Sequence, residues 1–156
     1  MSAKRWLAAV MACFCMLSAA ACGSEQAAEE PSSGSLEASM TKNNWGLTGN
    51  LDTENNIWHL EFENTGSKEM KLDFPDGQEI EVIITEEGAS EPVYIYSEGK
   101  VFTQAEKSVE ISAGNIRRWD GELDADLLDP ENSYRADFRI RAENLDIPAL
   151  KTSENP

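Results

Sequence analysis

The segment that decides the fold is residues 134–142, YRADFRIRA. Its apolar and polar side chains alternate at every position, which is the pattern of a β-strand with one face on the core and the other in water. The apolar face carries Tyr134, Ala136, Phe138, Ile140 and Ala142. The polar face carries Arg135, Asp137, Arg139 and Arg141. The segment therefore predicts a half-buried strand.

Shorter stretches of the same kind recur toward the amino terminus. Strands are predicted over residues 57–64, 70–74, 80–85, 93–96, 109–111 and 116–119, with a weaker candidate at 45–51. Turn residues such as Pro75-Asp76-Gly77 and Ala113-Gly114-Asn115 separate them, and only residues 104–107 suggest a helical turn. Seven or so short strands without an amphipathic helix predict an all-β, antiparallel, two-sheet sandwich.

The composition indicates one folded, acidic domain. The chain has 156 residues, with 13 Lys and Arg against 29 Asp and Glu, and a formal net charge of −16. A hydrophobic content of 40% is enough to fill a core, and the length suits a single domain. Because neutralising phosphates requires clustered Lys and Arg, this charge excludes nucleic acid and anionic lipid as electrostatic partners.

Residues 1–21 have the plan of a secretory signal: a basic start, an apolar stretch and a run of small residues. The following run, LSAAACGS at 17–24, resembles a bacterial lipobox, in which the chain is cut before a diacylated cysteine. Ala19 stands where Leu is more usual. The alternative is a buried helix of a cytosolic protein, but the apolar run is short. We predict a lipid anchor at Cys22 and a location on the extracytoplasmic face of the bacterial membrane.

Cleavage before Cys22 leaves 11 basic and 29 acidic residues, a formal charge of −18, and no second cysteine for a disulfide. Residues 22–40 are rich in Ser, Ala, Glu and Gly and predict a flexible tether. The sandwich is predicted over residues 41–150 and a disordered tail over 151–156. We expect a monomer that touches the membrane only through its lipid.

Motifs for catalysis or metal binding are weak. Residues 97–100 match Ser-x-x-Lys, but their glycine and β-rich flanks favour a turn over a catalytic helix. Asp124 and Asp126 begin like a calcium loop, yet the sixth position of that frame is Asp129 instead of Gly. His59 is the single histidine, so neither a zinc site nor a histidine-based triad can be assembled. We predict a protein that is not an enzyme, with no catalytic residue, metal or cofactor.

Three segments together point to a known family: FPDGQ at 74–78, VYIYSEGKVFTQA at 93–105 and WDG at 119–121. They resemble the BsuPI family of intracellular proteinase inhibitors, over roughly residues 58–142. The resemblance implies an immunoglobulin-like sandwich, here of seven to eight strands, and inhibition of a bacterial serine protease.

Two features depart from that family. Its founding inhibitor is cytoplasmic, whereas an anchor at Cys22 would place this domain outside the membrane, so its target or its role must differ. The last strand begins Asn132-Ser133-Tyr134, where a glycine before the tyrosine is more usual. No residue-level inhibitory site can be carried over from the resemblance.

Two segments are candidates for partner binding. The first is the segment 97–105, in which Phe102 would be an anchor and Ser97, Thr103 and Gln104 would be polar contacts. The alternative is that this run closes one end of the sandwich and that its polar groups satisfy turn backbone atoms. The second is the acidic loop 120–132, where an exposed pair, Leu127 and Leu128, could enter a protease pocket.

The polar face of the last strand invites a further interpretation. Its arginines are predicted to pair with carboxylates on neighbouring strands, namely Glu61, Glu63, Glu79 or Glu81. The alternative is a docking patch for an acidic segment. Three functions are compatible with the sequence: a noncatalytic interaction domain for a cell-envelope protein, an inhibitor that blocks the active site of a subtilisin-type serine protease, and an unrecognised enzyme.

Overall fold

The computed structural model describes residues 34–152. The predicted signal peptide, Cys22 and residues 153–156 of the predicted tail lie outside the described residues. Within the described part the chain forms ten strands and no helix. The strands are β1 Ser35–Lys42, β2 Trp45–Asp52, β3 Ile57–Asn64, β4 Met70–Phe74, β5 Ile80–Glu86, β6 Tyr94–Ile95, β7 Lys107–Ile111, β8 Ile116–Glu122, β9 Tyr134–Ile140 and β10 Leu150–Lys151.

The strands form two four-stranded sheets and one two-stranded ribbon, all antiparallel. The first sheet has the order β1-β2-β3-β8, the second has the order β10-β9-β5-β6, and β4 pairs with β7. The alternating segment 134–142 contains β9, which lies in the interior of the second sheet. Its inward residues Phe138 and Ala136 lie opposite Val82 and Ile84 of β5.

One hydrophobic core lies between the two sheets. Gly49 of β2 faces the Phe138 ring so closely that a Cβ at position 49 would lie 2.5 Å from it. The rings of Trp45 and Phe62 stack within the core, with centroids 5.6 Å apart. The largest fully buried side chains come from both sheets and from the ribbon, and they include Trp58, Phe62, Leu72, Phe74, Val82 and Phe138.

The predicted all-β fold is confirmed, and each predicted segment contains a strand, including the weaker candidate that becomes β2. The described residues contain ten strands instead of seven to eight because β1 and β10 lie outside the predicted segments. The helical turn expected at 104–107 is wrong: the chain bends at Ala105, and β7 begins at Lys107. No helix within residues 34–152 is long and apolar enough to cross a membrane.

The predicted tether reaches too far, because residues 35–40 belong to β1, which pairs with β2 along its whole length. Leu36, Ala38 and Met40 lean against the core, and the residues between them face outward. The predicted tail also begins too early. Lys151 lies opposite Asp137, and the buried Thr152 exchanges hydrogen bonds of 2.9 Å with Ala136 through its N–H and its hydroxyl.

The β9 arginines do not pair with the predicted glutamates: Arg141 forms an ion pair with Asp76 at 3.6 Å, and Arg135 forms one with Asp137 at 3.8 Å. Arg139 lies opposite Glu81 in the register, but no ion pair joins their side chains. Arg141 also donates to the side-chain oxygen of Gln78 at 3.0 Å. Glu61 pairs with Arg118, which lies directly opposite it on β8. Glu61 is thus paired by the arginine opposite it on β8, whereas Glu81 accepts hydrogen bonds from Ser97 and Gln78 and leaves Arg139 without it as an ion-pair partner.

Candidate functional site

The β6–β7 loop, residues 96–106, contains Ser97, Phe102, Thr103 and Gln104, the first group of predicted contact residues. It opens with a turn in which the N–H of Lys100 donates to the carbonyl of Ser97 at 3.1 Å. Gly99 takes a φ of +71°, which glycine adopts without strain. The Ser-x-x-Lys match is therefore a turn, as predicted, and lacks the helix that its catalytic use requires.

Aromatic contacts hold the base of this loop. The Tyr96 ring meets the buried Trp58 edge-on at 5.7 Å and lies 6.3 Å from the Phe102 ring, measured between centroids. The Lys100 ammonium sits 3.3 Å from the centre of the Tyr96 ring, a cation–π contact. Burial raises the pKa of Tyr96, and the charges of Glu79 and Glu81 raise it further. The tyrosine therefore stays neutral and serves as a packing platform.

A chain of hydrogen bonds fixes the start of the loop to the second sheet. One oxygen of Glu81 accepts from the N–H of Ser97 at 3.0 Å, and the other accepts from the amide of Gln78 at 3.0 Å. That amide also donates to the carbonyl of Ile80, and the oxygen of Gln78 accepts from Arg141. Gln78 is 6% exposed and its bond to the Ile80 carbonyl is buried, whereas the bonds of Glu81 and Arg141 are partly buried; together they hold the turn in place.

A second attachment lies near the end of the loop. The N–H of Gly77, in the turn after β4, donates to the carbonyl of Thr103 at 2.8 Å. A Cβ at position 77 would lie 2.6 Å from the Thr103 hydroxyl and 3.1 Å from the Thr103 backbone nitrogen, so glycine favours this close approach. The turn itself is closed by Asp76, whose carboxylate accepts from the N–H of Gln78 at 2.7 Å. The loop is thus tied to the scaffold at Ser97 and at Thr103.

Between these two attachments the chain projects into solvent. Val101 is 98% exposed, whereas its neighbour Phe102 is half-buried. Thr103 and Gln104 are also exposed, as a contact role requires. Val101 was not among the residues predicted from the sequence. The alternation rule that identified the strands does not apply to it, because residues 101–104 are not part of a strand.

The second predicted contact site is wrong. Leu128 is 3% exposed and belongs to the core, and Leu127 packs against it from the same loop. The N–H of Leu127 donates to the carbonyl of Asp124 at 2.9 Å, and the N–H of Asp129 donates to the Tyr134 hydroxyl at 2.8 Å. Burying a leucine side chain is worth about 1.5–3 kcal/mol, so the loop folds inward and closes the core.

Beside the loop base lies a buried ion cluster centred on Glu79, which is 7% exposed. Its carboxylate accepts from Arg117 at 3.0 Å, from the Trp119 indole at 2.7 Å and from the Lys107 ammonium. Burial raises the pKa of Glu79, but the hydrogen bonds from these donors outweigh it and leave the pKa below its usual value. The cluster joins β7 and β8 to the start of β5, which assigns Trp119 a structural role.

Within residues 34–152, the features relevant to a metal or a substrate include a histidine and a cleft. No group of three or more His, Cys, Asp or Glu within 34–152 is placed to hold a metal ion. His59 is exposed on β3, opposite Asn50 and Asp120. A cleft of about 270 Å³ lies between the start of β1 and the segment leading into β9, and its titratable side chains are Glu54, Glu131 and Tyr134.

Comparison with known proteins supports the family resemblance. No match is found among curated proteins. The protein-family model described as the BsuPI intracellular proteinase inhibitor matches residues 48–145, which is more than half of the 156-residue chain. The matched region runs from within β2 past the end of β9 and includes the whole β6–β7 loop. The chain therefore belongs to the BsuPI family of intracellular proteinase inhibitors.

Proposed function

We propose that this protein binds a subtilisin-type serine protease and inhibits it without catalysis, by filling the active-site cleft with the β6–β7 loop. The observation that carries the proposal is the loop itself: an exposed segment, inside the family match, that is tied down at both ends. Binding through an ordered loop avoids most of the entropy cost of fixing a flexible one, which improves affinity.

The proposal is tested by measuring inhibition directly. Full-length protein purified in detergent is added in increasing amounts to subtilisin, pancreatic elastase, chymotrypsin and trypsin, and residual peptidase activity is followed with chromogenic peptides. We expect stoichiometric loss of the activity of a subtilisin-type enzyme. If none of the proteases loses activity, inhibition is not the function, and an interaction domain for another cell-envelope protein becomes the better interpretation.

We also propose that the domain is exported and anchored by lipid at Cys22 on the extracytoplasmic face of the membrane, so that its target is a secreted or cell-envelope protease. The support is the signal and lipobox pattern of residues 1–24. A diacylated cysteine carries two chains, and each buried CH₂ adds about 0.8 kcal/mol, enough for stable anchoring without basic residues.

The anchor is tested by labelling substituted proteins with radioactive fatty acid in cells. Cys22→Ala should abolish incorporation of the label, because it removes the acylated sulfur. Cys13→Ala is the matched control, since it changes a cysteine inside the predicted signal and should leave the labelling unchanged. Unchanged labelling of Cys22→Ala would contradict the anchor.

A further inference from the structure

The side chain of Val101 is almost fully exposed at the projecting part of the β6–β7 loop. Two large hydrophobic side chains of the described residues are exposed, Val101 at 98% and Ile116 at 52%. A single exposed apolar residue is ordinary on a protein surface. Val101 differs because it stands at the projecting part of a loop whose two ends are attached to the scaffold at Ser97 and Thr103.

The neighbours of Val101 are already engaged with the domain. On one side of Val101, the Lys100 ammonium lies on the Tyr96 ring. On the other side, the Phe102 ring contacts the same tyrosine. Val101 is therefore the side chain of this tripeptide that is free to enter a pocket on a partner. The scaffold holds the flanking residues, so little further ordering is needed when it does so.

The backbone at this point is also open. Within residues 34–152, no backbone hydrogen bond engages Val101 or Phe102, and the carbonyl of Phe102 receives only a long contact of 3.4 Å from the Gln104 amide. Backbone N–H and C=O groups that make no hydrogen bond within the domain can pair with a strand of another protein, which is a common way of binding peptides. A protease cleft that binds extended substrates offers such a strand.

We infer that Val101 is the residue that occupies the primary specificity pocket of the protease, with the Val101–Phe102 peptide bond lying at the catalytic serine. The inference rests on the inhibitory function proposed above and adds its specificity. The target is then a protease whose pocket takes a medium-sized aliphatic side chain. A trypsin-type pocket, which carries a carboxylate at its base, does not match valine.

With the Val101–Phe102 bond at the catalytic serine, the loop can inhibit the protease while being cleaved only slowly. Attack of the catalytic serine on the Val101 carbonyl forms an ester and frees the Phe102 amine, and one water then hydrolyses the ester to a carboxylate. The Tyr96–Phe102 contact and the Gly77–Thr103 hydrogen bond keep that amine beside the ester. Return of the amine to the ester re-forms the peptide bond, so resealing competes with hydrolysis.

The test exchanges the specificity of the loop. Full-length Val101→Arg, purified in detergent, is compared with the unsubstituted protein against subtilisin, pancreatic elastase and trypsin. We expect at least about a tenfold loss of inhibition of the protease that the unsubstituted protein inhibits, together with new inhibition of trypsin. Ile116→Arg is the matched control, because it changes the other exposed hydrophobic residue, and it should leave inhibition unchanged.

The outcomes separate this inference from the function on which it rests. If Val101→Arg inhibits the same proteases as strongly as the unsubstituted protein, Val101 is not the specificity residue, although inhibition stands. If the unsubstituted protein inhibits no protease, both ideas fail. Circular dichroism checks folding, which a substitution at so exposed a position should preserve.

A second measurement does not depend on any variant. The unsubstituted protein is incubated for a long time with the inhibited protease and analysed by mass spectrometry. We expect the first product to carry one added water and to be cut between Val101 and Phe102. A first cut at any other bond would overturn the assignment.

Discussion

Glu79 is a buried carboxylate whose three donors come from β7 and β8. A buried charge is costly unless it is paired and hydrogen-bonded, and this one is satisfied from several directions. Arg117 and Lys107 are each about half-exposed, so they would regain water if the carboxylate were lost. The energetic role of the cluster therefore centres on Glu79.

Glu79→Gln should lower the free energy of unfolding at neutral pH by about 1.5–3 kcal/mol, the typical value of hydrogen bonds to a charged group. Because the folded-state pKa of Glu79 is lowered, its stabilising contribution is present above the ordinary glutamate pKa and disappears as the pH falls through the folded-state pKa. The difference between the unsubstituted protein and the variant should thus shrink in acid. Urea unfolding at neutral and acidic pH measures it.

Glu63→Gln provides the control for this experiment. Glu63 is exposed on β3, and no ion pair engages it, so the substitution removes the same charge without breaking the cluster. Its cost should be within about 0.5 kcal/mol of zero. Equal costs for the two variants, or a Glu79→Gln cost that stays constant in acid, would refute the role assigned to Glu79.

Single residues of the candidate site were only partly predictable. The motif at 93–105 predicts contact roles for Phe102, Thr103 and Gln104, and these residues do lie on an exposed loop. The acidic neighbours of Leu127 and Leu128 predict a surface position for the pair, yet the loop turns both side chains toward the core. Local composition indicates how polar a segment is. The direction of each side chain depends on the residues that pack beneath it.

At the level of elements, β1 is the clearest departure from the predicted organisation. Leu36, Ala38 and Met40 do alternate with polar residues, but the run is short and lies in a stretch rich in Ser, Ala and Glu, whose composition favours a tether. In the fold they pair with β2, and further bonds fix the start of the strand: Gly34 accepts from the N–H of Thr53 at 2.8 Å, and Ser35 accepts from Asn50. The strand is therefore an integral part of the first sheet.

A chain that begins at Asn43 should be less stable than one that begins at Gly34 by about 2–3 kcal/mol, because the half-buried Leu36 and Met40 are removed from the core edge. Urea unfolding of the two chains, followed by the fluorescence of the buried Trp45 and Trp58, measures the difference. Equal midpoints and slopes would show that β1 contributes nothing to stability.

Considered as a whole, the molecule combines one continuous core with a strongly acidic surface. The core draws side chains from both sheets and from the β4–β7 ribbon. The 29 acidic residues exceed the 13 basic ones, so repulsion between like charges outweighs attraction over the whole chain. The surface ion pairs that do form add little individually.

Raising the ionic strength from about 0.01 M to about 0.15 M should increase the thermal midpoint, because the Debye length falls from roughly 30 Å to roughly 8 Å and screens the repulsion. Differential scanning calorimetry at several sodium chloride concentrations measures the effect. A neutral osmolyte at matched osmolality serves as the control. A midpoint that falls with salt would mean that attractive pairs such as those of Glu79 dominate the electrostatics.

The sequence alone determined the all-β class, most of the strands and the family, because alternation along a strand and the motif residues are local properties of the chain. It also supports export and anchoring at Cys22, which remain predictions. Tertiary contacts determine which cations pair with Glu61 and Glu79. They also determine that the Leu128 side chain is buried and that the Val101 side chain is exposed. These outcomes depend on contacts between residues far apart in the chain, and no local pattern records which strands will become neighbours.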